Sequence, residues 1–348
     1  MKRTMRRAKT TITIQDVAKE AGVSISTVSR VLNDKDDVAL ETYERIRGVI
    51  QRLGYTSSLA ARSMRSRQTN VIGLIVPDVA DSFSIQVMKG VNRAIAEFDY
   101  DLIIYTSGSI KRPTGAEREQ HYVALLNGSI TDGIVIATPA ATSFSTAAPV
   151  VTVDPNNKCP NCPSVISTNY AGATAAMEYL IGLGHRRIGF INGRPDLQSA
   201  SRRLQAYLDA LAVANIPEDQ VLIEVGDFTT ETGRLCALRL LSRPEPPTAI
   251  LAANDRSAIG AMEAARELGR RIPQDLSLVG FDNIPETAYL NPSLTTVDQF
   301  IDQMGYIATE ILIGLIHGKS PDSEQYEIAT QLVVRDSCQP LASNARVG

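Results

Sequence analysis

This 348-residue chain has only four cysteines and three histidines, the residue types that bind structural zinc or, as cysteine, form the disulfides of small folds. A structural zinc site usually takes four Cys or His ligands in paired spacings, and the C-P-N-C pair of Cys159 and Cys162 has no second pair to match it. Prolines around this pair favour a loop over the helix start of a redox-active dithiol. We therefore expect loop cysteines, no metal and no cofactor.

The sequence also has no apolar run approaching the roughly 18 to 20 residues of a membrane helix. Its basic start, residues 1–9, is not followed by the apolar core of a signal peptide, so we expect a cytoplasmic protein with no membrane partner. A G-x-G-x-x-G after a strand, a phosphate-binding P-loop, an H-E-x-x-H helix and a G-x-S-x-G elbow are all missing. These absences argue against an enzyme, and no catalytic residue is predicted.

Charge is distributed unevenly along the chain. The first 67 residues hold 14 Lys and Arg against 7 Asp and Glu, a net charge of +7, so the remaining 281 residues carry −10 of a total of −3. A basic segment fits contact with phosphates, whereas an acidic body does not. The basic residues 1–9 are equally consistent with a phosphate-binding arm and with a solvated tail. The length of the chain predicts two or three domains.

Residues 12–33 predict two short helices joined by a tight turn. Thr13 can cap a first helix whose apolar residues recur at the three-to-four spacing of one buried face. Gly22 suits the left-handed residue that ends such a helix, and Ser24 can cap a second helix. This pattern is typical of a helix-turn-helix DNA-binding motif, and a capped helical hairpin within a larger core is the plainer alternative.

The outward face of this predicted motif carries the candidate DNA contacts. Small hydroxyls, an amide and one arginine suit base edges and phosphates in a major groove. The predicted DNA-binding residues of the motif and of the segment after it are Ile14, Gln15, Ser24, Ile25, Ser26, Thr27, Ser29, Arg30, Asn33 and Tyr55.

Beyond residue 68 the sequence alternates short β-branched runs with amphipathic helices, and it does so twice. The first series predicts strands at 71–76, 102–105, 133–137 and 150–153, with helices near 85–98 and 116–127. The second predicts strands at 187–191, 221–225, 249–252 and 277–279, with helices near 171–183, 201–214, 230–242 and 257–268. We therefore expect an α/β body of two doubly wound, parallel-sheet lobes. Ligands of such sheets bind beyond the carboxyl ends of the strands, which makes the cleft between the lobes the expected site.

Taken together, these segments resemble the LacI/GalR family of transcriptional repressors over nearly the whole chain. D-V-A-K-E-A-G-V-S-I-S-T-V-S-R-V-L-N resembles the family's DNA-binding headpiece, and R-I-R-G-V-I-Q-R-L-G-Y resembles its third helix. The effector-domain motifs follow in the family's order as P-D-V-A-D-S-F, G-H-R-R-I-G-F-I, A-A-N-D, S-L-V-G-F-D and P-S-L-T-T-V.

The resemblance implies a small all-α headpiece and a periplasmic-binding-protein-like effector domain. The implied domains are a headpiece at 11–57, a hinge helix and linker at 58–69, and a two-lobed effector and dimerisation domain at 70–340. The chain would cross between the lobes near 167–170, 297–301 and 326–329. The first lobe would then hold about 70–168 and 299–327, and the second about 169–298 and 328–340.

Strand-end positions and the resemblance together nominate the cleft residues. Carboxylates accept paired hydrogen bonds from sugar hydroxyls, an arginine donates two more, and an aromatic ring stacks on the C–H face of a sugar. Arg203 stands at the ligand arginine of the family's R-x-x-A/G-[FYW] segment, which reads R-L-Q-A-Y here. For the charged residues, a lobe-stabilising pair or a helix cap is the structural alternative. The predicted effector-binding residues are Phe83, Asp154, Arg203, Phe228, Asn254, Asp282 and Gln299.

Two segments depart from the family's usual sequence. Asp81 begins a D-S-F segment where most members read N-P-F or N-P-Y, which adds a carboxylate at the mouth of the expected pocket. In the hinge, the resemblance predicts DNA contacts from Ser58, Arg62 and Met64. Met64 replaces the family's leucine, which wedges into a minor-groove step. We expect this hinge to be disordered off DNA and to fold on it.

The sequence therefore predicts a homodimeric, sequence-specific transcription regulator, a repressor controlled by a small metabolite in the cleft, with a sugar as first candidate. Two headpieces on a two-fold axis require a palindromic operator in double-stranded DNA. The short tail after Val334 lacks the heptads of a tetramerising coiled coil. A purine or a phosphoprotein partner is the alternative within this fold. A sugar-binding module with no regulatory DNA role, or a metabolic enzyme, is the alternative from another class.

Overall fold

The computed structural model describes residues 12–32, 37–55, 68–108, 115–127, 130–156 and 162–341. The chain divides into two compact units, Met1–Thr69 and Asn70–Gly348. Several sequence predictions lie outside the described residues: the basic arm, Asn33, the hinge residues Ser58, Arg62 and Met64, and Cys159. Within the described ranges, no helix is both long and apolar enough to cross a membrane.

The first unit contains the helices α1 (Ile14–Ala21), α2 (Ile25–Leu32) and α3 (Leu40–Leu53). Thr13 caps α1 through a capping box, in which its N–H donates to the Asp16 carboxylate at 2.8 Å and its hydroxyl accepts from the Asp16 N–H at 3.4 Å. Gly22 takes the left-handed conformation, with φ of 65°. The Ser24 hydroxyl accepts from the Thr27 N–H at 3.1 Å. The predicted helix-turn-helix is therefore confirmed.

The three helices enclose one small apolar core. Val17 of α1, Val28 and Val31 of α2, and Ile46 and Val49 of α3 are all buried in it. Because these side chains come from all three helices, α3 fixes the angle between the two helices of the motif.

In the second unit, a first lobe is built on one parallel sheet. Its strands are β1 (Val71–Val76), β2 (Asp101–Thr106), β3 (Gly133–Ala137), β4 (Val150–Val153), β5 (Ser164–Ser167) and β11 (Gln325–Ile328). They lie in the order β11-β5-β4-β3-β1-β2. Helices α4 (Ser82–Phe98) and α10 (Ile301–Ile316) pack on one face and α5 (Gly115–Leu126) on the other.

The second lobe repeats this arrangement. Its helices are α6 (Asn169–Gly182), α7 (Gln198–Val213), α8 (Thr230–Leu241) and α9 (Asp255–Glu267), and its strands are β6 (Ile188–Asn192), β7 (Ile223–Val225), β8 (Ala249–Ala252) and β9 (Ser277–Val279). The parallel sheet has the order β7-β6-β8-β9. Helices α6 and α7 pack on one face, and α8 and α9 on the other. Both sheets therefore carry helices on both faces, which confirms the predicted fold class.

The predicted boundaries need three corrections. Residues Gln220–Leu222 form a 3₁₀ turn, so the strand predicted from Val221 begins at Ile223. Strands β5 and β11 and helix α10 add to the first lobe without having been predicted. A two-stranded antiparallel pair, β10 (Thr296–Asp298) with β12 (Gln331–Val333), was also missed.

The chain passes between the lobes three times: after β5, after β10 and after β11. Two of these crossing segments are joined side by side, since the Thr330 N–H donates to the Thr168 hydroxyl at 2.9 Å. The two threonine hydroxyls lie 3.0 Å apart. The lobes are therefore linked by a narrow set of adjacent segments, with the cleft beside them.

Candidate ligand cleft and nucleic-acid interface

Loops that follow strands of both sheets line a cavity of about 140 Å³ between the two lobes. On the first lobe, Pro77, Thr138 and Asp154 directly follow β1, β3 and β4. On the second lobe, Arg194 follows β6 and Asn254 follows β8. The cavity thus lies at the carboxyl ends of two parallel sheets, where the helix-flanked strands of such folds present their ligand-binding loops.

All seven effector-binding residues predicted from the sequence line this cavity, together with the Asp81 carboxylate expected at its mouth. Sequence reasoning did not select the other lining residues, although most of them share the strand-end position that nominated Asp154. Those residues are Pro77, Thr138, Arg194, Leu197, Ser199 and Asp227.

Arg203 occupies the buried face of α7 and is 4% exposed. Its Nε donates to Asn169 Oδ1 at 2.8 Å, and its Nη1 donates to the Ala253 carbonyl. Its Nη2 donates to Gln299 Oε1 at 3.4 Å. The guanidinium also stacks on the Phe281 ring, with Cζ 3.7 Å from the centroid. The protein therefore fixes this cation from several sides.

Asp282 is the anionic partner of this arginine. Its Oδ1 lies 3.7 Å from Arg203 Nη1 and accepts from Gln299 Nε2 at 2.6 Å. Burial raises the pKa of Asp282 well above its ordinary value; Arg203 opposes this rise, and the charges of Asp255 and Asp81 add to it. A buried pair of this kind is the structural alternative foreseen for Arg203, and it places both side chains on the wall of the cavity.

Gln299 connects this pair to the first lobe. The Ser167 hydroxyl, at the end of β5, donates to Gln299 Oε1 at 2.8 Å. Gln299 follows β10 and Asn169 begins α6, so both belong to segments in which the chain crosses between the lobes. We call this hydrogen-bonded set the crossing network, and its members are Ser167, Asn169, Arg203, Asp282 and Gln299.

Phe228 forms an apolar part of the wall. Its backbone is left-handed, with φ of 71°, and its ring packs so closely on Gly193 that a Cβ there would overlap the ring. Asn254 Nδ2 donates to the Phe228 carbonyl at 3.0 Å, and Asn254 Oδ1 caps α9 by accepting from the Ser257 N–H at 2.9 Å. Asn254 therefore serves as a helix cap while it lines the cavity.

Three further carboxylates face the cavity. Burial raises the pKa of Asp154, and Arg203 and a hydrogen bond from Ser199 oppose the rise. Asp81 caps α4, where its Oδ2 accepts from the Ser84 N–H at 3.0 Å.

Asp227 lies on the loop between β7 and α8. Its Oδ1 accepts from the Thr229 N–H at 3.0 Å and from the Thr229 hydroxyl at 2.6 Å. Burial acts to raise the pKa of Asp227, but hydrogen bonds from Thr229 and Thr232 outweigh it and lower that pKa. Asp227 is therefore an ionised carboxylate at neutral pH.

In the first unit, the leading residues of α2 face solvent. Ile25 is 44% exposed, and Ser26 beside it is exposed as well. Arg30 is exposed and pairs with Asp37 at 3.4 Å, a surface ion pair of small energetic weight. Tyr55 is 8% exposed and belongs to the core, so little of its side chain is available to a partner.

The remaining predicted contacts surround these side chains. Gln15 and Ser24 are exposed, whereas Ile14, Thr27 and Ser29 are half-buried. Ser24 Oγ lies 2.7 Å from Ser26 Oγ and 2.8 Å from Thr27 Oγ1, so the start of α2 presents a cluster of hydroxyls.

No set of three or more His, Cys, Asp or Glu side chains in the described part of the chain is placed to hold a metal ion. His185 lies between the hydroxyls of Thr248 and Ser277, at 2.9 and 3.0 Å, and burial lowers its pKa. Cys162, predicted as a loop cysteine, is disulfide-bonded.

Two family models match the chain. One is described as bacterial regulatory proteins, lacI family, and matches residues 13–58; the other is described as a periplasmic binding protein-like domain and matches residues 177–338. A ribose operon repressor of Halalkalibacterium halodurans is 35% identical over 331 residues, which are 93% of this chain and 96% of the relative. The HTH-type transcriptional repressor PurR of Vibrio vulnificus is 32% identical over 336 residues, which are 94% of this chain and 99% of the relative.

Solved structures show the same likeness. A Lac repressor dimer bound to operator and the anti-inducer ONPF has a TM-score of 0.81 at 26% identity, covering 94% of this chain and 99% of that one. A LacI family transcriptional regulator from Enterococcus faecium with bound ribose has a TM-score of 0.69 at 26% identity, covering 78% of this chain and 100% of that one.

Proposed function

This chain belongs to the LacI family of bacterial regulatory proteins, as a DNA-binding regulator with an effector-binding domain, and we propose that it is a homodimeric repressor controlled by a sugar. The headpiece at 11–57 binds a palindromic operator, the hinge at 58–69 couples it to the effector domain at 70–340, and the sugar occupies the interlobe cavity. The protein acts in the cytoplasm by binding, without chemical turnover of its effector. The observation that carries this proposal is the interlobe cavity, which is lined by carboxylates, one buried arginine and two phenylalanine rings.

The lining supports a sugar because its acceptors point inward from both lobes. Asp154 of the first lobe and Asp282 of the second can each accept from neighbouring hydroxyls, and Phe228 offers an apolar surface to ring C–H groups. The Enterococcus faecium regulator of this fold contains bound ribose, which makes a pentose the first sugar to test. A purine is the second candidate, because PurR repressors match nearly the whole chain at similar identity.

On the DNA side, the proposal assigns base selection to Ile25 and Ser26, the exposed residues that begin α2. Arg30 anchors the helix to a base or a phosphate, because its exposed pair with Asp37 costs little to exchange. Changing Ile25 and Ser26 together should alter the preferred operator, with roughly 1 to 3 kcal/mol lost at particular base pairs. An operator selection that returned the parental site would refute this assignment.

The test of the whole proposal uses the full chain and two steps. Selection from randomised duplex DNA first yields the operator, and fluorescence anisotropy then measures operator affinity with D-ribose, other free sugars, purines and nucleosides. A sugar that changes operator affinity and is recovered unchanged supports the proposal. A response to purines alone would support the second candidate, a purine-controlled repressor. Operator binding that no sugar, purine or nucleoside alters would contradict both candidate functions.

A further inference from the structure

The cavity is lined by more acidic than basic side chains. Its four carboxylates and two guanidiniums belong to Asp81, Asp154, Asp227, Asp282, Arg194 and Arg203. A ligand held there must therefore match a wall that is rich in hydrogen-bond acceptors and negative charge.

Both arginines are already engaged with the protein. Arg194 holds Asp196 through two of its nitrogens, with Nε 3.1 Å from Oδ1 and Nη2 2.5 Å from Oδ2. Arg203 is buried in the crossing network with Asp282 and a backbone carbonyl. The protein already uses two of the five N–H donors of Arg194 and three of those of Arg203, so a ligand anion would compete with Asp196 or Asp282 for each guanidinium.

Three of the carboxylates form no salt bridge with any described residue, although the charges of Arg203 and Arg202 act on Asp154. Asp81, Asp154 and Asp227 make no ion pair within 4 Å of any cation among the residues that the structure describes. Asp81 and Asp227 are exposed, whereas Arg203 and Asp282 are at most 7% exposed. The two exposed carboxylates therefore mark the mouth of the cavity, one at the start of α4 on the first lobe and one after β7 on the second.

From this arrangement we infer that the cleft takes an uncharged, hydroxyl-rich effector and rejects its phosphate ester, with Asp81 and Asp227 as the residues that set this specificity. The inference rests on the proposed sugar-binding function. Hydroxyl groups can donate to the free carboxylate oxygens, whereas a phosphate adds only acceptors and like charge. The cavity has a volume of about 140 Å³, and we place the phosphate of a pentose or hexose ester towards its exposed mouth, where these two carboxylates lie.

Both residues also cap local structure, but capping does not require their charge. Asp81 accepts from the Ser84 N–H at the start of α4, and Asp227 accepts from the Thr229 N–H before α8. Asparagine caps helix N-termini about as well as aspartate. Asp81→Asn and Asp227→Asn therefore remove the charge while they preserve the backbone contacts.

A regulator with this specificity responds to a sugar before that sugar is phosphorylated. Transfer of a phosphoryl group from a nucleoside triphosphate to a sugar hydroxyl, with release of the nucleoside diphosphate, would convert this effector into the ester that the cleft excludes. The regulator would then report the free sugar, and a sugar kinase would end the signal.

The experiment is isothermal titration calorimetry of the full chain at low salt with paired compounds: D-ribose and D-ribose 5-phosphate, D-glucose and D-glucose 6-phosphate, D-fructose and D-fructose 6-phosphate. For the sugar that binds, we expect at least about 100-fold weaker binding of the phosphate ester. Each Asn variant should raise the ratio of ester affinity to free-sugar affinity about tenfold at low ionic strength. Asp99→Asn, at the opposite end of α4, is the matched control and should not change this ratio.

These measurements distinguish failure of the proposed phosphate specificity from failure of the proposed sugar-binding function. An ester that binds the unaltered protein as tightly as its free sugar, or Asn variants that leave the ratio of ester to free-sugar affinity unchanged, would overturn the specificity and leave sugar sensing in place. If no compound of the panel bound, free or phosphorylated, the proposed sugar function would fall and this inference with it.

Discussion

Removal of the Arg203 guanidinium should affect stability and ligand binding together. Arg203→Ala leaves Asp282 as a buried carboxylate without its cation, and it also removes the donor to Asn169 and to the Ala253 carbonyl. Breaking a buried ion pair by deleting one partner typically costs about 3–5 kcal/mol. Gln299 still donates to Asp282, and burial already raises the pKa of that carboxyl so that it can take up a proton. We therefore expect a loss near the lower end, about 3 kcal/mol.

Urea unfolding of the full chain measures this loss, with Arg202→Ala as the matched control. Arg202 precedes Arg203 on α7 and is exposed, so its removal should change the free energy of unfolding by no more than about 0.5 kcal/mol. A double variant, Arg203→Met with Asp282→Asn, should be more stable than Arg203→Ala because it leaves no unpaired charge.

Calorimetry of the same variants tests the ligand contact. Arg203→Ala should lose the effector response and at least about 100-fold in effector affinity, since two charge-assisted hydrogen bonds are each worth about 1.5–3 kcal/mol. Operator binding without effector should persist, because the headpiece core contains no residue of the crossing network. Equal unfolding free energies for Arg203→Ala and Arg202→Ala, with unchanged effector affinity, would refute both roles.

Three further outcomes are expected. Burial raises the pKa of Asp255 from 3.8 to about 7, so between these pH values the folded state keeps a proton that the unfolded state releases. The free energy of unfolding should therefore fall as the pH rises from about 4 to about 7. Asp255→Asn should flatten this pH dependence in urea titrations, and an unchanged slope would contradict the assignment. Gly90→Ala should destabilise the protein by about 1–3 kcal/mol, because the added Cβ would overlap the Asp302 carbonyl. Gly182→Ala should stabilise it by up to about 1 kcal/mol, because no atom lies within 4 Å of the added Cβ. Equal thermal midpoints for the two variants would contradict this prediction. Thr13→Ala removes the capping box of α1 and should cost the first unit about 1 kcal/mol, and an unchanged helical signal on heating would show that the cap is dispensable.

The headpiece could be predicted from the sequence because its signals are local. The hydrogen bonds that begin α1 and α2 and that end α1 join residues at most five apart, and Thr13, Gly22 and Ser24 are the residue types that such ends require. The central strands of both lobes were predictable for a similar reason, since runs such as Val71–Val76 are buried on both faces and are continuously apolar.

Elements formed by distant pairing were not predictable. Strand β11, with the sequence Q-Y-E-I, lies at the edge of the first sheet and alternates exposed and half-buried residues, so it has no apolar run to reveal it. Its partner β5, which also pairs with β4, lies far earlier in the chain, so β11 is defined by a pairing between distant residues. The same holds for β10 and β12. Pairings of this kind depend on the tertiary fold more than on local propensity.

Some residues of the candidate site could be predicted from the sequence and others could not. Arg203, Asp154 and Asp282 were found through strand ends and a motif, because their own sequence context marks them. Ser167 and Asn169, which hold Gln299 and Arg203, carry no such mark. Their role exists only because two crossing segments meet beside the cleft.

This meeting point gives the cleft a physical route from ligand to lobe geometry. Gln299 accepts from Ser167 of the first lobe and donates to Asp282 of the second, so one amide hydrogen-bonds to both lobes. A ligand whose hydroxyls bind Asp282 or Arg203 competes with these hydrogen bonds. It therefore changes which hydrogen bonds Gln299 can retain. A ligand shifts a conformational equilibrium only by the difference in its affinity for the two states. Because the contested groups lie where the chain crosses between the lobes, the choice of hydrogen-bond partner and the angle between the lobes depend on the same few atoms.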